Sequence, residues 1–162
     1  MRIKKYKSSV LSMAVVSALG VTDFAQAQVL EEVVVTARKR SENLQEVPMA
    51  VSSFSAAQLR AAQVDGILDL ERMTPNVTLT ETGGLVAGAI QVFIRGIGND
   101  AGFDQGVGIY ADDVYLNRTT GALLEVFDIE RIEILKGPQG NLYGRNTIGG
   151  AIRFISKEPT EE

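Results

Sequence analysis

The fold of this chain is decided by residues 128–159, DIERIEILKGPQGNLYGRNTIGGAIRFISKEP. The alternation of charged and apolar residues predicts a strand over Arg131–Leu135, and the apolar run near the end predicts a second over Ala151–Ser156. A loop with glycines at 137, 140, 144, 149 and 150 joins the two strands. Glycine is used where φ is positive or where another backbone comes close. The stretch therefore indicates two strands held around a tightly shaped loop.

Short elements precede this stretch. A strand is predicted over Pro48–Phe54, and Ser55 with Gln58 makes a capping box for a helix ending near Gln63. Asp65 is predicted to cap a second helix that stops before Pro75. Further predictions are strands over 76–81, 89–95 and 107–115, the last interrupted by a turn at Asp112-Asp113, and a helix capped by Thr119 or Thr120 that runs through Phe127. This mixture predicts an α+β fold, a small mixed β-sheet with short helices and glycine-rich loops, rather than a doubly wound sheet.

The N-terminus has the three parts of a secretory signal peptide. Basic residues occupy positions 2, 4, 5 and 7, an apolar run covers 10–21, and Ala25-Gln26-Ala27 is a small-x-small cleavage site. The apolar run is shorter than the roughly 20 residues of a membrane-spanning helix. The sequence therefore predicts an exported chain with a signal peptide over 1–27, a flexible segment over 28–47 and a folded domain over 48–162.

Composition excludes several classes of function. Without residues 1–27 the chain carries 12 basic and 19 acidic residues, so it has no basic footprint for nucleic acid. It contains neither cysteine nor histidine, which excludes disulfides, zinc fingers and imidazole catalysis. Asp112 and Asp113, with Asp100 and Asp104 nearby, lack EF-hand spacing and are typical of turns. We therefore expect no enzyme activity, no cofactor and no metal site.

Two glycine-containing stretches, 96–101 and 137–150, partly match sequence motifs of nucleotide-binding sites. Gly96-Ile97-Gly98-Asn99-Asp100-Ala101 fits G-x-G-x-x-A, but no helical pattern follows it as a dinucleotide site requires. An oxidoreductase is therefore a remote alternative. The loop over 137–150 fails the P-loop spacing, because Gln139 stands where glycine is needed and Arg145 replaces the lysine.

The run Leu30–Ala37, LEEVVVTA, has strong strand propensity and is flanked by acids before it and by Arg38-Lys39-Arg40 after it. Flanking charges keep such a run from uncontrolled pairing. It is suited to being added as a strand to the sheet edge of a partner. The alternative interpretation, the first strand of the domain itself, stays open.

Several motifs in order resemble the plug domain of TonB-dependent outer-membrane receptors. They are EEVVVTARKRSENLQEVPMAVSSFSAAQL at 31–59, FIRGIG at 93–98, GVGIYADDVYLNR at 106–118 and IERIEILKGPQGNLYGRNTIGGAIRFISK at 129–157. Asp113 replaces the usual turn glycine, and Lys136 stands where arginine is more frequent. The motif positions carried over from the family are Arg95, Gly96, Gly98, Tyr110, Asp112, Asp113, Gly137, Pro138, Gln139, Gly140, Tyr143, Gly144, Arg145, Gly149 and Gly150.

The resemblance implies a function and its partners. The candidate TonB box is Glu32, Val33, Val34, Val35, Thr36 and Ala37, and its partner is the C-terminal domain of TonB. The resemblance also implies an outer-membrane β-barrel around the plug, whose wall glutamates pair with Arg95 and, as a second candidate, Arg145. A full receptor of this kind takes up a scarce small-molecule nutrient such as an iron–siderophore complex.

A barrel of about 22 strands needs several hundred further residues, which this sequence does not contain. We therefore expect a truncated receptor that is not a transporter alone, located in the outer membrane within a full receptor. A free-standing periplasmic module that binds a ligand or TonB is the alternative. Its folded centre is predicted near Val92, Ile109, Ile132 and Ile152, with mobile segments over 29–47 and 96–106.

Overall fold

A computed structural model gives the fold and describes residues 33–83, 87–98, 105–118 and 128–159. Ten strands lie in these ranges: β1 (Val34–Val35), β2 (Glu42–Asn43), β3 (Ala50–Ser55), β4 (Val77–Thr82), β5 (Ala89–Ile94), β6 (Ile97–Gly98), β7 (Val107–Ala111), β8 (Val114–Tyr115), β9 (Ile129–Lys136) and β10 (Gly150–Ser156). The helices described are α1 (Ala56–Ala61), a 3₁₀ turn (Ile67–Asp69), α2 (Leu70–Met73) and α3 (Gly140–Tyr143).

The central sheet has five strands in the order β3-β9-β10-β7-β8. Strand β10 pairs antiparallel with β9, Ile152 opposite Ile134, and parallel with β7, Ile152 opposite Ile109. Residues 150–154 of β10 are all buried, which requires both faces of this strand to be covered. The stretch that decides the fold thus forms the middle of the sheet.

One face of the sheet carries the main core. Ile109, Ile132, Ile134, Ile152 and Phe154 cluster there with apolar residues of β4 and β5 and of the helical region, including Leu59, Ile67, Leu70, Leu79 and Val92. Strands β4, β5 and β6 form a separate antiparallel sheet of three strands. The four predicted core positions, Val92, Ile109, Ile132 and Ile152, are all buried to within 1% exposure, as expected.

The opposite face carries the alternate residues of the same strands. Tyr110, Leu135 and Ala151 form a second cluster there with Val35, Ala37 and Val47. Because strand side chains alternate between faces, Glu133 and Arg153 share this second face with Leu135 and Ala151. The chain before β3 covers this face, and the candidate site is built on it.

The predicted capping box is confirmed. The Gln58 N–H donates to Ser55 Oγ at 3.4 Å, and the Ser55 N–H donates to Gln58 Oε1 at 2.9 Å. The prediction that Asp65 caps the next helix is wrong. The carboxylate of Asp69 accepts from the N–H groups of Asp65 and Gly66 at 3.1 and 3.2 Å instead, so the turn is capped from within.

Most strand bounds differ from the predictions by one or two residues. Strand β3 begins at Ala50 rather than Pro48, and β5 ends at Ile94, because Arg95 adopts φ 55 in the turn to β6. The turn predicted at Asp112-Asp113 is present, with φ of 45 and 65. Part of the segment predicted to be flexible, 28–47, forms β2, because Glu42 and Asn43 pair with the valine run.

Some predictions fall outside the described residues: the signal peptide over 1–27, Glu32, and the helix from Thr119 or Thr120 through Phe127. The domain bounds and the mobility of 29–47 and 96–106 stay predictions. Across the part of the chain that the structure describes, no helix has the length and apolar character to cross a membrane.

Candidate functional site: a docked N-terminal strand and a cavity with two cations

The valine run forms a strand whose partner is its own chain. Strand β1 pairs antiparallel with β2, Val34 opposite Asn43, and the Leu44 N–H donates to Val33 O at 2.9 Å. The turn between them is closed by the Lys39 N–H, which donates to Thr36 O at 2.8 Å. In an antiparallel pair, successive residues direct their main-chain groups to opposite edges. Val34 and Thr36 therefore direct their N–H groups away from β2.

Alternate side chains of this strand are buried. Val35 and Ala37 are 0% exposed, whereas Val33 and Val34 are 39% and 46% exposed. The two buried side chains pack with Val47, Tyr110, Leu135 and Ala151 on the second face of the central sheet. Burying a valine side chain contributes about 1.5–3 kcal/mol. The segment is thus docked on the domain by one row of small apolar side chains.

Glu133 joins the docked segment to two arginines. Its Oε1 accepts the Thr36 N–H at 2.7 Å and Arg131 Nε at 3.0 Å, and its Oε2 accepts Arg153 Nη1 at 2.7 Å. Arg153 Nη1 also donates to Thr36 Oγ1 at 2.8 Å, and Arg153 Nη2 donates to Asp113 Oδ1 at 2.9 Å. Glu133 is 0% exposed and Arg153 is 3% exposed. Buried charges persist only when they are paired and hydrogen-bonded, so this network depends on each of its members.

The electrostatic balance at Arg153 favours its charged form. Burial disfavours the guanidinium, but the neighbouring Tyr143, Glu133 and Asp113 outweigh that effect and raise the pKa of Arg153. The side chain therefore remains a cation next to Thr36 under all physiological conditions.

Tyr143 makes a second polar contact with the segment. Its hydroxyl donates to Ala37 O at 2.7 Å, and its own carbonyl accepts the Tyr110 hydroxyl at 2.8 Å. Lys39 Nζ and the Arg153 guanidinium lie 5.4 and 5.8 Å from the centre of its ring, within the range of cation–π attraction. Burial, modified by the surrounding charges, raises the pKa of Tyr143 to about 12. The hydroxyl therefore stays protonated and able to donate at neutral pH.

Arg95 and Lys136 line a separate cavity of about 600 Å³, together with Met49, Gly137, Pro138, Gln139 and Gly140. Arg95 holds the left-handed conformation, φ 55, that is uncommon for a residue with a side chain. Its guanidinium makes no hydrogen bond or ion pair with the described residues. Burial, and then the charge of Arg95, lower the pKa of Lys136. Two cations without an acidic partner in the described ranges make this cavity attractive to a carboxylate.

The loop between β9 and β10 contributes residues both to the contacts with the docked segment and to the lining of the cavity. Gly137 and Gln139 donate their N–H groups to Gly149 O and Thr147 O at 2.9 Å, which folds the loop back on itself. A Cβ on Gly150 would lie 2.1 Å from Leu135 O, and one on Gly149 would lie 2.6 Å from Ile97 O. Both positions therefore require glycine for close backbone approach.

The structure brings some of the motif residues together in two clusters and leaves the others apart from both. Tyr110, Asp113 and Tyr143 lie at the docked segment. Arg95, Gly137, Pro138, Gln139 and Gly140 line the cavity. Arg145 lies apart from both, with Nη2 3.4 Å from Asn117 Oδ1. Asp112 also lies apart, and its carboxylate accepts from the N–H and hydroxyl of Ser156 at 2.8 Å. The glycines that remain serve the backbone: Gly96 in the turn after β5, Gly98 in β6, Gly144 at the end of α3, and Gly149 and Gly150 at the start of β10.

Sequence reasoning missed Glu133, Arg131 and Arg153. A usable signal was present, because Glu133 and Arg153 are charged residues inside runs that otherwise form buried strands. Asp112 and Asp113, considered as calcium ligands, contact Ser156 and Arg153 instead. In the described ranges no group of three or more acidic, histidine or cysteine side chains is placed to hold a metal ion. Asp100 and Asp104 lie outside those ranges.

Residues 43–151 match the model of the family described as TonB-dependent Receptor Plug Domain. The vitamin B12 transporter BtuB of Vibrio vulnificus (strain CMCP6) is 31% identical over 157 residues, covering 93% of this chain and 25% of that protein. The pesticin receptor of Yersinia pestis is 30% identical over 128 residues, covering 78% of this chain and 19% of that protein.

A solved structure also matches this chain in fold. The crystal structure of the ferric yersiniabactin uptake receptor FyuA from Yersinia pestis matches with a TM-score of 0.63 and 27% identity, over 70% of this chain and 18% of that chain. The chain thus spans about a quarter or less of the length of these relatives.

Proposed function

Since the chain belongs to the TonB-dependent receptor plug domain family, we propose that it acts as the plug of an outer-membrane receptor that takes up a scarce nutrient with the help of TonB. The family match over residues 43–151, with a plug-like fold, carries the proposal. The relatives bear the names of a vitamin B12 transporter and of a ferric yersiniabactin receptor, which supports a nutrient such as an iron–siderophore complex. In this function the chain is exported and belongs in the outer membrane.

The TonB-binding element of the proposal is the segment Glu32–Ala37. Three adjacent valines favour extended backbone, and the segment already forms a strand with its Val34 N–H directed away from β2. A partner strand that adds to this edge gains main-chain hydrogen bonds without needing a particular set of side chains. This is the chemistry expected for the C-terminal domain of TonB.

The barrel-binding element of the proposal is the cavity with Arg95 and Lys136. Burial, and then the charge of Arg95, lower the pKa of Lys136, and a barrel wall that supplies two carboxylates would oppose both effects by neutralising the two cations. Arg95 and Gly96 form the two-residue turn between β5 and β6, and such a turn requires positive φ at both positions. The turn therefore fixes the backbone of Arg95 at the edge of the cavity. Arg145 is exposed and is the weaker candidate for the same role.

Titration of the full chain with the TonB C-terminal domain, followed by calorimetry, tests the proposal. Val34→Pro removes the outward N–H and restricts the backbone, so it should weaken binding at least tenfold. Val34→Ile keeps the N–H and is the matched control, with binding within about twofold of wild type. Equal binding by wild type and Val34→Pro would contradict the assignment of the TonB-binding segment.

A further inference from the structure

The last residues of β10 are held differently from its middle. Strand β7 ends at Ala111, opposite Phe154, so residues 155 and 156 extend past it. The ladder with β9 shifts its register between Ile155 and Ser156. An irregular step of this kind leaves main-chain groups without their regular ladder partners. The end of the strand therefore needs other hydrogen-bond partners.

Two aspartates supply these partners. Asp112 directly follows β7, and its Oδ1 accepts the Ser156 N–H while its Oδ2 accepts the Ser156 hydroxyl, each at 2.8 Å. Asp128 directly precedes β9, and its carbonyl oxygen accepts the Lys157 N–H at 3.1 Å. Both aspartates have left-handed backbone, with φ of 45 and 52. Each strand beside β10 is thus continued by one aspartate that binds the chain where β10 ends.

We infer that Asp112 and Asp128 form an exit clamp that fixes the path of the chain after β10, with Asp112 as the main positioning residue. The functional meaning of the exit clamp rests on the proposed function, in which the barrel follows the plug along the chain. In that arrangement, the direction of residues 157–159 sets how the plug is oriented relative to the barrel. Asp112 therefore does more than close the turn between β7 and β8.

The two aspartates contribute unequally to the exit clamp. Asp112 uses both carboxylate oxygens on Ser156, and hydrogen bonds to a charged acceptor are about twice as strong as neutral ones. It also donates its own N–H to Phe154 O at 3.0 Å. The carboxylate of Asp128 only pairs with Lys157 Nζ at 3.3 Å, and both side chains are largely exposed, so water screens this pair. Loss of the Asp112 carboxylate should therefore loosen the exit most.

The adjacent aspartate provides a matched control. Asp113 has φ 65, and its Oδ1 accepts from Arg153 Nη2 at 2.9 Å, whereas the Ser156 bonds go to Asp112. Glycine adopts positive φ without strain. Asp112→Gly and Asp113→Gly should therefore both keep the turn, and each removes one carboxylate. Only the first variant removes the bonds to Ser156.

Hydrogen exchange of the full chain, without any partner, measures the hold on the exit. Asp112→Gly should speed exchange of the Ser156 amide by between about two- and tenfold, because the net contribution of a hydrogen bond is lost. Asp113→Gly should leave this amide at its wild-type rate. The amides of Ile132 and Ile152, in the main core, should keep their rates in both variants. This pattern distinguishes positioning of the exit from stabilisation of the whole domain.

Pulsed electron paramagnetic resonance between two nitroxide labels measures the direction of the exit. The chain contains no cysteine, so Glu158→Cys and Thr80→Cys together supply the labelling sites. Both positions are exposed, and Thr80 lies in the separate sheet of three strands. The distribution of distances between the labels should be broader in Asp112→Gly than in the labelled wild type. It should not change in Asp113→Gly.

Substitution of Ser156 tests the same contact without altering the turn. Ser156→Ala removes the hydroxyl bond to Asp112 Oδ2, whereas Ser156→Thr keeps a hydroxyl at this position. Ser156→Ala should therefore speed exchange of the amide at position 156 and broaden the distance distribution. Ser156→Thr should match the wild type in both measurements.

Unchanged exchange and an unchanged distance distribution in Asp112→Gly and Ser156→Ala would overturn the inference. An equal effect of Asp113→Gly, or acceleration of the Ile132 and Ile152 amides by the same factor, would also overturn it. None of these measurements uses TonB. A chain that shows the exit clamp but does not bind TonB overturns the proposed function and leaves the exit clamp standing. A chain that binds TonB but shows no exit clamp overturns this inference alone.

Discussion

The hydroxyl of Tyr143 donates a 2.7 Å hydrogen bond to the carbonyl oxygen of Ala37, across 106 residues of sequence. It links the loop after β9, the most recognisable part of the sequence, to the N-terminal segment. This contact, together with Glu133 and Arg153, makes the second face of the central sheet a docking face.

High pH should release the segment. The pKa of Tyr143 is about 12 in the folded chain, chiefly because the ring is buried, and a tyrosine in an unfolded chain titrates near 10. A group whose pKa is raised by folding gives stability that is complete below its unfolded pKa and is lost as the pH rises through its folded pKa. The methyl NMR signals of Val35 and Ala37, which are buried when the segment is docked, should therefore be constant up to about pH 10 and change between about pH 10 and 12. In Tyr143→Phe this change with pH should be absent. A change that persists in that variant would arise from the titration of another group.

Removing the Glu133 charge should destabilise the whole domain. Glu133→Gln removes the buried carboxylate and leaves Arg153 paired only with the exposed Asp113 among the described residues. Breaking a buried pair costs about 3–5 kcal/mol, so the loss should approach but not exceed this range. Glu130→Gln is the control, because Glu130 pairs with Arg131 at the surface, where such pairs contribute about 0–1 kcal/mol. Urea unfolding of the full chain measures the free energy of unfolding of both variants. Equal free energies of unfolding for the two variants would contradict a structural role for the buried network.

Glycine should be indispensable at position 150. A Cβ there would lie 2.1 Å from Leu135 O, and the backbone has φ +145, so Gly150→Ala should lower the free energy of unfolding by about 3 kcal/mol or prevent folding. Gly140→Ala meets nothing within 4 Å and lies in α3, so it should be neutral or slightly stabilising. Thermal unfolding of both variants measures the two changes in stability. A tolerated alanine at 150 would show that β9 and β10 pair less closely than described.

Arg95 should lower the pKa of Lys136. Asn fits the left-handed turn better than Arg, so Arg95→Asn should keep the hairpin and stabilise it by up to about 1 kcal/mol. Removing the cation should also move the Lys136 pKa up toward its ordinary value, although burial still lowers it. The Lys136 side-chain signal in an NMR pH titration gives this pKa. Arg145→Asn, which alters a cation outside the cavity, should not change it.

The fold class followed from local signals that act over a few residues. The capping box at Ser55 and Gln58 and the turn at Asp112-Asp113 depend on bonds within one turn of chain, and both were predicted correctly. The cap at Asp69 was mistaken because either aspartate could serve, and only the folded turn selects the one inside.

The candidate site was only partly predictable. The valine run was recognised as a strand, but its docking depends on Glu133 and Arg153, which lie 97 and 117 residues from Thr36. No local sequence pattern predicts that Glu133 accepts from the Thr36 N–H and that Arg153 donates to Thr36 Oγ1. The register of β9 and β10 brings them together, and register is a property of the assembled sheet.

The central claim is that the segment Glu32–Ala37 is the strand that a TonB partner takes up. NMR of the isotopically labelled full chain, titrated with unlabelled TonB C-terminal domain, tests it most directly. The account predicts that the amides of Val34 and Thr36 shift and gain contacts with a strand of the partner. The Thr36 N–H should lose its bond to Glu133, and the Ala37 carbonyl should lose its bond from Tyr143. Binding that leaves the amides of residues 33–37 unshifted, or no binding to wild type or to Tyr143→Phe, would contradict it.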